Sequence, residues 1–98
     1  MRPYKLLAEP RVAQDLLKAC FYYESQREGL GDEFLAEVSA TYDRIQGNPL
    51  KYQVLRSEVR RALCRRFPFG IFFSVDADLV SILAVLHTAK NPEEWKRL

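Results

Sequence analysis

The sequence predicts a single α+β domain, residues 1–98, with the element order β-α-α-β-β-β. Three observations carry that reading. Apolar residues recur at spacings of three to four in residues 12–23 and 34–45, and at a spacing of two from residue 59 onward. Turn-forming residues sit where the period changes, at Glu9-Pro10, Gly29-Leu30-Gly31 and Gly47-Asn48-Pro49. A length of 98 residues, with 48% hydrophobic and 29% charged content, suits one small globular core.

Tyr4 to Ala8 reads as a short first strand joining a sheet edge. Pro10 fits the first turn of a helix, where its missing N–H is not needed. Val12, Leu16, Ala19/Cys20 and Tyr23 then form one helical stripe, with Arg11, Gln14, Asp15 and Lys18 opposite, and the helix fades near Gly29. Asp32 is the expected N-cap of a second helix, and Glu33 sits well against its dipole. Its stripe is Phe34/Leu35, Val38, Thr41/Tyr42 and Ile45, and Gly47-Asn48-Pro49 ends it. Two helices joined by about four residues make an antiparallel hairpin.

Residues 50–57 read as a connector. Residues 59–67 follow as one strand, and residues 69–75 as a second with Phe69, Ile71, Phe73 and Val75 on one face. Asp76-Ala77-Asp78 is a turn, and the nearly continuous apolar run 79–87 reads as a central strand buried on both faces. Asn91-Pro92-Glu93-Glu94-Trp95 starts a short C-terminal helix. The helical hairpin covers one face of a small antiparallel sheet. The other face is left open for a partner.

Charge is polarised along the chain, although the net value is only +2. Arg56, Arg60, Arg61, Arg65 and Arg66 gather in one stretch, whereas Glu24, Glu28, Asp32, Glu33, Glu37 and Asp43 gather in the helical hairpin. Cys20 and Cys64 are not in a C-x-x-C pair, and each falls in an apolar segment, as expected of free thiols in a reducing compartment. The N-terminus is too soon interrupted by Pro10 for a signal peptide, and no run is long enough to span a membrane. A cytoplasmic protein with no membrane partner is expected.

Catalytic constellations are thin. Nucleophile signatures, Gly-rich phosphate loops and metal-ligand clusters are absent, so no metal or cofactor is expected. His87 stands alone at the end of the last predicted strand, where a histidine is more often structural than catalytic. Thr88, Lys90 and Trp95 follow it closely, and Arg60 and Arg61 come near it if the strands pair as drawn.

The doubled arginines raise a sharper question. Strand alternation through residue 67 puts Arg61 and Arg65 on one face and Arg60 and Arg66 on the other. One face must meet the hairpin, where a charge is tolerated only if it is paired. Val59, Leu63 and Phe67 accompany Arg61 and Arg65, and their bulk points to that face as the inner one. Guanidinium forks match carboxylate and phosphate, so the outward members are candidate anion contacts; a solvated face that discourages edge pairing is the plainer alternative.

A-Q-D-L (13–16), Tyr22-Tyr23-Glu24, G-L-G-D-E-F (29–34), I-Q-G-N-P (45–49), V-R-R-A-L-C-R-R-F-P-F-G-I-F-F (59–73), A-V-L-H (84–87) and N-P-E-E-W (91–95) follow one another over nearly the whole chain. In that ordered set the chain resembles the RelE/ParE superfamily, the toxins of bacterial type II toxin–antitoxin (plasmid stabilisation) modules. The resemblance implies the β-α-α-β-β-β fold already read from the periodicity. F-P-F-G-I-F-F is similar to the F-P-Y-x-I-x-Y pattern of ParE-like members, which poison DNA gyrase. RelE-like members instead cleave mRNA on the ribosome. Gly70 matches the position of their catalytic arginine and Trp95 that of a tyrosine, and in the region of a common H-x-x-R-x-P ending Lys90 stands for the arginine, a modest departure, with Asn91 after it.

The resemblance thus implies a gyrase-binding toxin, without chemistry of its own, neutralised by a cognate antitoxin and forming a homodimer or a toxin–antitoxin hetero-oligomer. The implied binding residues are Arg60, Arg61, Arg65, Arg66, His87, Lys90 and Trp95. A ribosome-dependent mRNA endonuclease is the alternative, with Arg61, His87, Lys90 and Trp95 as its catalytic candidates. A toxin-fold protein without toxicity is a third.

Overall fold

Pro10 and Gly29 set the first half of the chain. A computed structural model describes residues 3–98. β1 (Lys5–Ala8) runs straight into α1 (Pro10–Gln26), with extended Glu9 ahead of Pro10 at the helix start. Three residues on, α2 (Leu30–Gly47) begins after Gly29, whose φ of 87° is a left-handed conformation that glycine adopts without strain. The expected cap, Asp32, lies inside the first turn of α2 instead. The capping group comes from the other helix: the Glu24 carboxylate accepts the N–H groups of Gly29 and Gly31, each at 3.0 Å. Those two bonds, Gly29 first, hold the Glu24 carboxyl below its usual pKa.

The helices close on each other at Gly31. A Cβ there would stand 2.9 Å from Cys20 Sγ and 3.0 Å from the Cys20 carbonyl oxygen. Only hydrogen fits at that crossing.

After a 3₁₀ turn (Pro49–Lys51), the expected connector contains a short strand, β2 (Val54–Arg56). β3 (Val59–Leu63), β4 (Phe69–Asp76) and β5 (Leu79–His87) follow, and a single 3₁₀ turn (Glu94–Arg97) replaces the expected C-terminal helix. The sheet order is β1-β5-β4-β3-β2. β1 lies parallel to β5 and every other pairing is antiparallel, so the sheet is mixed, not purely antiparallel.

The faces of the sheet are unequal. Ala62, Ile71, Phe73, Val80, Ile82 and Val85 meet Val12, Ala19, Phe34, Val38 and Ile45 of the hairpin in the main core. At one end, Tyr23, Phe34, Phe67 and Phe69 pack edge to face, with Tyr23–Phe67 centroids at 4.8 Å and Phe34–Phe69 at 5.0 Å. The second face buries Val59, Phe72, Ala84 and Leu86 under a thin cover of Leu55, Leu83, Trp95 and Leu98. A bulge opposite Phe72/Phe73 makes Leu83 an extra residue, which sets Leu83 and Ala84 on the same face.

β3 ends at Leu63, not at residue 67. Residues 64–68 turn away toward α2, where the Glu37 carboxylate accepts the Arg65 backbone N–H and Glu33 pairs with Arg66 at 2.7 Å. The hydroxyl of fully buried Thr41 donates to the Glu37 carbonyl at 2.9 Å and lies 3.6 Å from Cys64 Sγ. Burial raises the pKa of the Cys64 thiol, and both cysteines are free. Among the described residues no helix is long and apolar enough to cross a membrane.

Candidate binding surfaces

The arginine pairs divide on the structure, but not as strand alternation through residue 67 predicts. Arg60 opposite Phe73, with neighbouring Ala62, belongs to the hairpin side of β3; Arg61 opposite Phe72 belongs to the second face. The bulk of Val59 and Leu63 misleads here: Val59 is buried under Leu55 and the C-terminal turn, and Leu63 is 53% exposed. Because β3 stops at Leu63, Arg65 and Arg66 fall outside the alternation altogether.

Each arginine has a different environment. The Arg60 guanidinium donates to the Tyr52 carbonyl at 2.6 Å and the Leu50 carbonyl at 3.3 Å, stapling the 3₁₀ turn to β3. Its partners are backbone oxygens and not an acid of the hairpin. Arg66 pairs with Glu33 and lies over the Phe67 ring at 5.4 Å. That bond, ahead of one from Arg27, holds the Glu33 carboxyl below its usual pKa.

Arg65 is fixed by its backbone, while its exposed side chain has no ion-pair partner among the described residues. Arg61 likewise has no hydrogen-bond or ion-pair partner among them, and its stem lies across Gly70. A Cβ on Gly70 would come within 3.2 Å of Arg61 Cδ and 3.3 Å of Cγ. Glycine at that position leaves the arginine stem uncrowded against the sheet.

Trp95 stacks on Phe72, with centroids 6.2 Å apart and planes 9° from parallel. Arg61 and Trp95 therefore flank the same phenylalanine on the second face. Beside them Arg56, Ser57, Val59, Trp95, Lys96 and Leu98 line a depression of about 150 Å³. Arg56, Lys96 and exposed Leu63 were not singled out from sequence as contacts. Alternation along β3 was the available signal for Leu63, because it shares a face with Arg61.

His87 and Lys90 lie elsewhere. His87 is level with Phe69, on the hairpin side, three residues along β5 from the position opposite Phe72. The expected approach of Arg60 and Arg61 to His87 does not occur. The His87 Nδ1 accepts the backbone N–H groups of Ala89 and Lys90, each at 3.0 Å, and its ring packs edge-on against Phe69 at 5.3 Å. Accepting at Nδ1 places the proton of the neutral ring on Nε2. Burial, followed by the Lys90 charge, pushes its pKa down, which favours the same neutral form. The histidine shapes the turn after β5.

The four catalytic candidates are thus split, with Arg61 and Trp95 on the second face and His87 and Lys90 beside α1. No cluster of three or more His, Cys, Asp or Glu side chains suited to a metal occurs among the described residues.

The ParE toxin family model, described as the ParE toxin of the type II toxin–antitoxin system parDE, matches residues 6–92. No curated protein matches the chain significantly. Among solved structures, a chain of the chromosomal ParDE toxin–antitoxin system from P. aeruginosa superposes with a TM-score of 0.75 at 18% identity, covering 86% of this chain and 95% of that one. A chain of the toxin–antitoxin complex RelBE2 from Mycobacterium tuberculosis gives a TM-score of 0.65 at 22% identity, covering 88% of this chain and 99% of that one. At these identities the likeness is one of fold.

Proposed function

The chain belongs to the ParE toxin family, and on that premise we propose that it is a toxin that acts by binding DNA gyrase and is silenced by a cognate antitoxin. The observation that carries the binding reading is Gly70 with the Arg61 stem laid across it. In a nuclease of this fold that position would carry the arginine that stabilises a phosphate in flight. Here the place is filled by the hydrocarbon part of another residue, and the aromatic rings on that face, Phe72 and the Trp95 stacked on it, have no hydroxyl to move a proton. What remains is an adhesive surface: half-buried Trp95, seated on buried Phe72, and exposed Leu63 supply apolar area, and Arg56, Arg61 and Lys96 supply positive charge around it.

Aromatic and arginine side chains are the residue types that dominate binding energy at interfaces. An antitoxin segment carrying acidic and apolar residues would complement the same charges. The structural neighbours come from toxin–antitoxin assemblies, which supports a protein antitoxin for this chain as well.

The test compares two assays on one preparation. Purified protein is expected to inhibit supercoiling by gyrase and to leave ribosome-bound mRNA intact, and R61A is expected to weaken the inhibition. Codon-specific mRNA cuts with normal supercoiling would replace this reading with the endonuclease one. That alternative draws on Arg56, Arg61 and Lys96 lying close to an aromatic pair, an arrangement that also suits RNA.

A further inference from the structure

Between α1 and the segment leaving β5 lies a cleft of about 250 Å³, on the hairpin side of the sheet and apart from the surface of Arg61 and Trp95. Tyr22, Tyr23, Phe69 and His87 line it with aromatic rings, and Lys18 and Lys90 bring positive charge to it. Its charged groups are unequally available. Asp15 accepts the Val85 backbone N–H at 3.0 Å and pairs with Arg11 at 3.2 Å, and Glu94 binds the same Arg11 at 2.6 Å. Both acids are therefore engaged.

The cationic groups are not held in this way. The Lys90 ammonium lies 4.6 Å from the Tyr22 ring centroid and keeps its hydrogens for an acceptor, and Lys18 has no ion-pair partner among the described residues. His87, with Nδ1 engaged, has its proton on Nε2 and can only donate. An aromatic lining with unengaged donors selects a flat or bulky apolar group next to an anion.

The position of the cleft says how such a group would arrive. β1 ends at Ala8, opposite Ile82, so β5 continues past it without a neighbouring strand on that side. Asp15 caps Val85 there, and Val85 and Leu86 line the cleft. The His87 carbonyl accepts the Asn91 N–H at 3.1 Å, so a visiting extended chain meets this edge through its side chains and not through a strand ladder. The volume is below the roughly 300–1,000 Å³ usual for small-molecule sites and suits a side chain or two.

We propose that this cleft is a second contact site, which takes an acidic residue adjacent to an aromatic one from an extended segment of a protein partner. The ring enters the cleft and rests against Tyr22, Tyr23 and Phe69, and the carboxylate meets Lys18 and Lys90. The site is independent of which macromolecule the Arg61 surface engages.

The probes are two blocked tetrapeptides, acetyl-Ala-Glu-Phe-Ala-amide and its charge-reversed form with Lys in place of Glu, together with uridine monophosphate. Each is titrated into ¹⁵N-labelled protein and followed by amide NMR. The acidic peptide is expected to shift the amides of Tyr22, Tyr23, His87 and Lys90 and to saturate at a concentration lower by about fivefold than the lysine peptide does, the upper range for an exposed ion pair. The K18A/K90A double variant changes two exposed side chains, keeps the native amide spectrum and is expected to abolish the preference. Equal binding of the two peptides, no binding, or shifts confined to other regions would overturn the proposal. Tighter binding of uridine monophosphate than of the acidic peptide would overturn it as well, by making this a nucleotide site. None of these outcomes bears on gyrase inhibition, so the two readings fail separately.

Discussion

Replacing Arg60 by methionine tests the division of labour within the first arginine pair most directly. Methionine keeps an unbranched stem of similar reach and removes only the donors. The loss is two charge-assisted hydrogen bonds, to the Tyr52 carbonyl at 2.6 Å and the Leu50 carbonyl at 3.3 Å. Such bonds contribute about 1.5–3 kcal/mol each when well formed. The second is long and Arg60 is only half-buried, so a total of about 2–3 kcal/mol is expected. Tyr52 packs edge-on against fully buried Phe73 at 5.8 Å, and freeing its carbonyl loosens that contact too.

For a domain near this size each kcal/mol shifts Tm by about 4–8 °C, so R60M should melt roughly 10–20 °C below the parent. The matched control is R61A, whose guanidinium has no partner among the described residues. Its melting temperature should fall by no more than a few degrees, from the loss of stem packing on Gly70. Thermal unfolding followed by circular dichroism measures both. Arg60 and Arg61 are equally classed as half-buried, so exposure alone does not foretell the outcome. Should R61A prove the more damaging variant, the assignment of faces and the role given to the two carbonyls would both be wrong.

Gly31→Ala places a methyl group 3.0 Å from the Cys20 carbonyl, a backbone atom that cannot swing aside, so separation of the helices should cost about 1–3 kcal/mol, read as a lower urea midpoint. Ala77 sits in the β4–β5 turn at φ 53°, and Ala77→Gly should raise Tm by relieving about 0.5–1 kcal/mol of left-handed strain; a fall in Tm would contradict that. Acid should destabilise the fold in two steps. His87 has a depressed pKa in the fold, so its contribution is complete above 6.5 and is lost as pH falls through the lower folded value. Glu24 and Glu33, also depressed, contribute fully above 4.5 and lose that contribution as pH falls further. Urea midpoints taken from neutral to about pH 3.5 should therefore decline throughout, with E24Q flattening the lower limb; a midpoint independent of pH would refute the capping role of Glu24.

Local signals carried much of the architecture. The stripes Val12, Leu16, Ala19, Tyr23 and Phe34, Val38, Thr41, Ile45 face the core as their spacing requires, and Pro10 starts α1. Alternation also placed Phe69, Ile71 and Phe73 together in the main core. The failures share a cause, which is dependence on groups distant in sequence or on backbone atoms. Asp32 had the right chemistry for a cap, but Glu24 reaches the same N–H groups from the end of α1. β3 could have continued to Phe67 on residue type; Glu37 and Glu33 draw Arg65 and Arg66 off toward α2. β2 is three residues at an edge, too short for a period, and nothing local tells β1 to lie parallel to β5.

The arginines show why the candidate site was harder to read than the fold. Their residue types and spacing identified a basic surface, but the division between structural and available charge depends on what each guanidinium meets. Arg60 meets carbonyls, which every residue has and no sequence pattern marks. Arg66 meets Glu33, one acid among several on the hairpin. Arg61 meets the absence of a side chain at Gly70, and that absence is visible in sequence only once the register of β3 against β4 is known. A Cβ at position 70 would crowd the Arg61 stem and the Phe72 ring, and the stem would have to shift by a few tenths of an ångström. In this chain a glycine of β4 and an arginine of β3 share one packing contact on the second face, so the placing of the Arg61 guanidinium there follows from the register of the two strands.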